Sequence, residues 1–173
     1  MPKYYINQHL LSANARTIIK DDMGKAAFLL VGRWGTRGDV LSVYDMQGSI
    51  LASIRQTSFA LESRFDLFKE YEKVGSLSRI LSINRDYYYI KGLKWAAVGD
   101  IKHRRYRIHQ FNDVIMTMQP ALTCYGDFFE CDIRSEEEAP LCICIAAILD
   151  YWVKRPKKEK NPFRNKRVDL EFS

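Results

Sequence analysis

From residue 3 to about residue 133 the chain is a succession of short runs rich in Val, Ile, Tyr, Phe and Leu, broken at short intervals by Gly, Asn, Asp or Ser. Runs of that length and composition between turn residues are the signature of β-strands. They predict strands at 3–8, 16–20, 26–32, 40–44, 50–56, 64–68, 77–83, 87–90, 93–98, 105–109, 114–119 and 128–133. The clearest hairpin is 40–56, where Tyr44, Asp45, Met46, Gln47 and Gly48 supply the turn and Gly48 is free to take positive φ. Its sequence has an echo. LSVYDMQGSILASIRQ sets beside YRIHQFNDVIMTMQP with one residue deleted at the turn, and Arg64, Phe65 and Asp66 fall 64 positions before Phe128, Phe129 and Glu130. The echo suggests two related halves of one sheet system.

The pattern changes at Ser135. Three glutamates, Glu136 to Glu138, precede a run from Ala139 to Val153 that holds no glycine and a single charge, Asp150. Acidic residues ahead of an apolar run suit a helix N-terminus, proline is tolerated in the first turn, and Lys154 and Arg155 suit the other end. The predicted helix, from about Pro140 to Lys154, is apolar on every side, so it must be surrounded by protein or by lipid. Its uncharged stretch, 139–149, is 11 residues long, whereas a bilayer core needs about 20. A buried helix is therefore expected, with no transmembrane span. The inner faces of the preceding strands are what remains to cover it, and about twelve strands closed into a barrel leave room for one helix while removing the exposed strand edges.

The order of these segments resembles a known family. VLSVYDMQGSILASIRQ, then KWAAVGD at 94–100, then RYRIHQFNDVIMTM and a terminal apolar helix are similar to the LURP-one-related proteins, over roughly residues 3–153. That family belongs to the tubby C-terminal-like group, which also includes phospholipid scramblases. The resemblance implies an all-β fold with one helix: a closed antiparallel barrel of about twelve strands around a hydrophobic C-terminal helix. It also implies a link to lipid, since tubby domains bind phosphoinositides and scramblases act on membrane lipids, while the LURP-one-related members are mostly of undefined biochemistry. No residue-by-residue match to a tubby lipid pocket emerges. Residues 135–138 lack the alternating oxygen ligands and central glycine of a calcium loop.

Length and composition agree with one globular domain: 173 residues, 47% hydrophobic and 28% charged. We place the barrel with its helix in 1–153 and a basic tail in 155–173. The net charge of +6 is unevenly distributed. Residues 154–173 hold eight Lys or Arg against three acids, a net of +5, which leaves +1 for 1–153. The cysteines, Cys124, Cys131, Cys142 and Cys144, crowd into the last third. That is not how a secreted disulfide framework distributes its staples, so free thiols are expected, with Cys142 and Cys144 in the core. The first residues show no sustained apolar run of a secretory signal, and the expected location is the cytoplasm, with peripheral membrane contact.

No catalytic constellation stands out. There is no Gly-x-Ser-x-Gly elbow, His-Glu-x-x-His helix or Gly-x-x-x-x-Gly-Lys-Ser/Thr loop. Cys142 and Cys144 would point their sulfurs about 200° apart on a helix, and His103 and His109 lie in a basic stretch without neighbouring carboxylates, so no metal site and no cofactor are expected. Gly32, Gly35 and Gly38 precede a strand and read as turn and bulge glycines; Arg37-Gly38-Asp39 is a chance tripeptide. Two basic clusters remain: Lys102, Arg104, Arg105 and Arg107 at a strand entry near one barrel rim, and the tail, with Lys154, Arg155, Lys157 and Lys158 at its start. A polybasic segment gains about 1 kcal/mol per Lys or Arg at an anionic bilayer. The expected function is non-enzymatic binding of anionic phospholipid headgroups or membrane surfaces. The alternatives are a protein-interaction module, or nucleic-acid binding through the tail, against which stand the near-neutral body and the lack of a recognition helix.

Overall fold

Twelve strands follow one another round the chain: β1 (Lys3–Asn7), β2 (Asn14–Asp21), β3 (Ala26–Arg33), β4 (Val40–Tyr44), β5 (Ile50–Gln56), β6 (Arg64–Lys69), β7 (Glu72–Ile80), β8 (Tyr87–Lys91), β9 (Trp95–Asp100), β10 (Arg105–Gln110), β11 (Asp113–Thr123) and β12 (Gly126–Ile133). This computed structural model describes residues 1–7, 14–33, 38–58, 64–80, 87–123 and 126–154, with 14, 15, 122, 123 and 154 described through their backbone alone. Each strand pairs antiparallel with the next, and β1 pairs with β12, so the sheet closes into a barrel of twelve strands. Alternate residues turn inward, as the strand period of two requires. Tyr106 and Ile108 of β10 are buried while Arg105 and Arg107 are exposed, and β12 buries Phe129, Cys131 and Ile133.

The helix α1 (Ala139–Lys154) is buried on all sides from Ala139 to Asp150. It enters from the end of β12 and runs to the opposite rim, where Trp152 packs edge-on against Phe65 and stacks on Tyr88 at ring distances of 5.1 and 4.9 Å. The expected boundary at Pro140 is one residue late. The three glutamates lie in a turn before the helix, where the Glu138 carbonyl accepts the first helical bond, from Cys142.

The strands that sequence patterning places differently have local causes. The run 77–83 was expected to begin a strand, but β7 starts at Glu72 because the preceding turn is only Glu70–Tyr71, which holds no glycine and sets Glu70 in the left-handed region at φ 54°. The end of that expected strand, 81–83, lies outside the described residues. β11 continues past the expected 119 to Thr123, carrying Pro120 inside it. Pro120 is tolerated because β10 pairs with β11 only as far as Met118, so at Pro120 there is a neighbour on the β12 side alone. Gly38 is a turn glycine as expected, but Gly32 is neither turn nor bulge: it is paired in β3 with Ala15 and Leu41, and a Cβ on it would stand 2.3 Å from the Val40 carbonyl oxygen, so β3 and β4 approach there as only glycine allows; Gly35 lies outside the described residues. In the paired hairpins noted in the sequence, the registers shift at equivalent places, between Val43 and Tyr44 in one and Ile108 and His109 in the other.

β1 closes the barrel, and it holds unequally to its two neighbours: five residue pairs with β12 and two with β2. Glu130 of β12 secures the stronger seam. It accepts hydrogen bonds from Lys3 Nζ (3.1 Å), Tyr5 Oη (3.0 Å) and Gln119 Nε2 (3.1 Å). Burial alone would raise its pKa, but the hydrogen bonds from Lys3, Gln119 and Tyr5 outweigh it and hold the carboxyl below its ordinary value. A depressed carboxylate pKa stabilises the fold above the unfolded value, and that contribution is lost as pH falls through the folded pKa. Glu130→Gln is therefore expected to be less stable than the native chain at neutral pH, with the difference shrinking on acidification. Denaturation midpoints followed against pH check this; a constant difference would rule it out.

Candidate anion-binding face

Strands β9 and β10 are joined by the turn Ile101–Arg104, in which Arg104 N–H donates to the Ile101 carbonyl at 3.1 Å. Ile101 is buried and pins the turn to the rim, while Lys102 and His103 face solvent. Asp100 shapes the turn from outside and gives His103 the neighbouring carboxylate that the sequence reading denied it: the Asp100 carboxylate accepts the His103 N–H at 3.1 Å and meets His103 Nδ1 at 2.7 Å, and these contacts hold it below the usual aspartate range. Arg104 ends the turn at φ 55°.

Arg104 does not join the outward cations. Its guanidinium turns inward and donates from Nε and Nη2 to Asp150 Oδ1 at 2.9 and 2.8 Å, from Nη1 to the Lys102 carbonyl at 2.9 Å, and lies 5.7 Å from the centre of the Phe129 ring. The reason is Asp150. It is the one charge in the run Ala139 to Val153 of the helix, it sits near the helix C-terminal end where the macrodipole disfavours an anion, and it is nearly closed off from water. The sequence carried a signal for this pair, since a single charge in an otherwise apolar run needs a partner from elsewhere.

Arg105 and Arg107, two residues apart on the outer face of β10, project side by side about 7 Å apart. Neither makes an ion pair or side-chain hydrogen bond with the described residues. Val98 and Thr117 lie opposite Arg107 on the flanking strands, and Arg105, Arg107, His109, Thr117 and Gln119 border a shallow recess of about 410 Å³. Lys102 lies in the turn before β10 and does not line the recess. Thr117 was not singled out from sequence, and His109 was weighed only as a metal ligand, although the alternation Arg105, Arg107, His109 places the histidine on the arginine face. Lys154 is the last residue of α1. Arg155, Lys157, Lys158 and the rest of the tail lie outside the described residues.

The buried thiols offer no reactive group. Cys131 donates toward Met118 Sδ at 3.7 Å and burial pushes its pKa up to about 12; burial also raises Cys142 and Cys144. All three are free, and Cys124 lies outside the described residues. Among the described residues no helix is long and apolar enough to cross a membrane.

Comparison with known proteins agrees with the architecture. The model of the LURP-one-related family matches residues 3–150. An uncharacterised Bacillus subtilis protein, YxjI, is 25% identical over 150 residues, covering 87% of this chain and 93% of its own length. A solved structure of an Arabidopsis thaliana protein superposes with a TM-score of 0.60 at 13% identity, covering 87% of this chain and 90% of that one, a likeness of fold. None of these matches indicates a catalytic activity.

Proposed function

We propose that this chain, which belongs to the LURP-one-related family, is a non-enzymatic module that binds anionic phospholipid headgroups at a membrane surface. The observation that carries the reading is the pair Arg105 and Arg107, exposed together on the outer wall without ionic partners among the described residues. They lie toward the end of the barrel from which the basic tail departs. Lys102 adds a third cation, and Thr117 and His109 supply hydrogen-bonding groups suited to phosphate oxygens. Binding is electrostatic and reversible, and it places the protein peripherally on the bilayer.

The test is co-sedimentation with vesicles of neutral phosphatidylcholine and of phosphatidylcholine with phosphatidylserine, at low and high salt. Each surface cation contributes about 1 kcal/mol at an anionic bilayer, so Arg105→Ala with Arg107→Ala is expected to weaken binding to the anionic vesicles by roughly 30-fold at low salt, with little pelleting on neutral vesicles in either protein. Affinity unchanged in the double variant would remove the wall from the site. Equal binding to duplex DNA would favour the nucleic-acid alternative.

A further inference from the structure

In a closed antiparallel meander the connections alternate between the two ends of the barrel. At the end where α1 begins, five hairpins turn tightly, and each sets one large apolar side chain at its tip: Met23, Met46, Tyr71, Leu93 and Phe111. Four of them stand in solvent, Met23 and Tyr71 at 85% exposure, Phe111 at 79% and Met46 at 46%. Isolated exposed apolar residues are ordinary on a protein surface, but exposed ones at four of the five hairpins, with Leu93 half-buried against the core at the fifth, make a broken ring. The ring is built rather than loose. The Asp21 and Asp45 carboxylates each accept two backbone N–H groups of their own turns, at 2.8 to 3.0 Å, fixing Met23 and Met46 at the apex.

The charge around the ring is acidic. The connections at this end, 22–25, 45–49, 70–71, 92–94 and 111–112 together with 134–138, hold six acids against three bases, a net of −3, and Asp21 and Asp113 at the adjoining strand ends add to it. The connections at the other end, 8–13, 34–39, 57–63, 81–86, 101–104 and 124–125, hold four bases against three acids, and the tail 155–173 adds seven bases against three acids. An acidic rim is repelled by anionic lipid, so the apolar tips are not suited to the surface that the basic end would meet. They suit a basic polypeptide with apolar anchors, and methionine tips accommodate such a partner readily. The chain contains one: 155–173 interleaves its seven cations with Phe163, Val168, Leu170 and Phe172.

We infer that the acidic, apolar-tipped rim is a docking surface for the basic C-terminal segment, residues 155–173, of a second copy of this chain. The contact is head-to-tail, so it can propagate beyond a dimer. Its receiving rim lies opposite Arg105 and Arg107, and it is tested without lipid, so its failure and that of the lipid reading are distinguishable.

Sedimentation velocity of the full chain at low salt is expected to show a mass that rises with protein concentration and falls toward the monomer at high salt. Two full-length variants separate the halves of the contact. One replaces the tips, Met23→Ser, Tyr71→Ser and Phe111→Asn; the asparagine tolerates the left-handed φ of 52° at that position. The other reverses the tail, Lys157→Glu, Lys158→Glu and Lys160→Glu. Each alone is expected to be monomeric, and their equimolar mixture to form a complex of one copy of each, because the first keeps its tail and the second its rim. A native chain that stays monomeric at every concentration overturns the inference. So does self-association that survives either variant, or a mixture that fails to pair.

Discussion

Ile145→Asp is expected to leave no cooperatively folded protein. Ile145 is wholly buried at the middle of α1, and its neighbours in the helix, from Ile143 to Leu149, are buried with it. A carboxylate there has no described cation beside it: Arg104, the basic group known to reach the helix, is committed to Asp150. An isolated charge in such surroundings either neutralises by a raised pKa or draws water inward, at a cost of about 3–5 kcal/mol. The lost isoleucine packing adds about 2–4 kcal/mol. Together these approach the whole stability of an ordinary domain, about 5–15 kcal/mol. Ile145→Val is the matched control, expected to cost about 1 kcal/mol. Circular dichroism and tryptophan fluorescence, to which the buried Trp95 contributes, report the outcome. A variant that unfolds cooperatively near the native midpoint would mean that the helix can leave the barrel without unfolding it.

The feature that makes this prediction severe is also the one most legible in the sequence. An apolar run too short for a bilayer and without a polar face has to be enclosed, and in a chain otherwise made of strands the enclosure is the barrel. The hairpin at 40–56 was equally legible, because Asp45 and Gly48 mark the turn by type, and Gly48 indeed takes φ 91°. Turns built without such residues were not. Nothing in Glu70–Tyr71 announces a left-handed residue, because tertiary pairing of β6 with β7 imposes it there. The basic face was partly legible for a related reason. Arg104 and Arg105 are adjacent and chemically identical, yet one turns in and one out, and the division depends on where the turn ends and the strand alternation begins. The apolar ring was invisible as a pattern because its members are spread from Met23 to Phe111 and meet only when the sheet closes.

Arg104 and Asp150 are expected to behave as a unit rather than as two independent contributors. Asp150 is nearly closed to solvent, with 9% of its side chain exposed, and Arg104 retains 21%. Arg104→Ala removes the guanidinium from a carboxylate that sits near the negative end of the helix dipole; Asp150→Ala leaves a partly buried cation with the Lys102 carbonyl and the Phe129 ring as its partners among the described residues. Each change is expected to cost about 3 kcal/mol, the lower part of the range for breaking a buried pair, because Arg104 keeps some access to water. Arg104→Met combined with Asp150→Leu, which replaces both charges with apolar groups of similar reach, is expected to cost less than either single change, since no charge is left without its counterpart. Chemical denaturation of the variants measures the coupling, and simple additivity would show that the two side chains do not act on each other. The same proteins divide stability from recognition. Because Arg104 faces the helix and Arg105 faces solvent, Arg104→Ala should lower the denaturation midpoint with little effect on anionic-vesicle binding, whereas Arg105→Ala with Arg107→Ala should do the reverse.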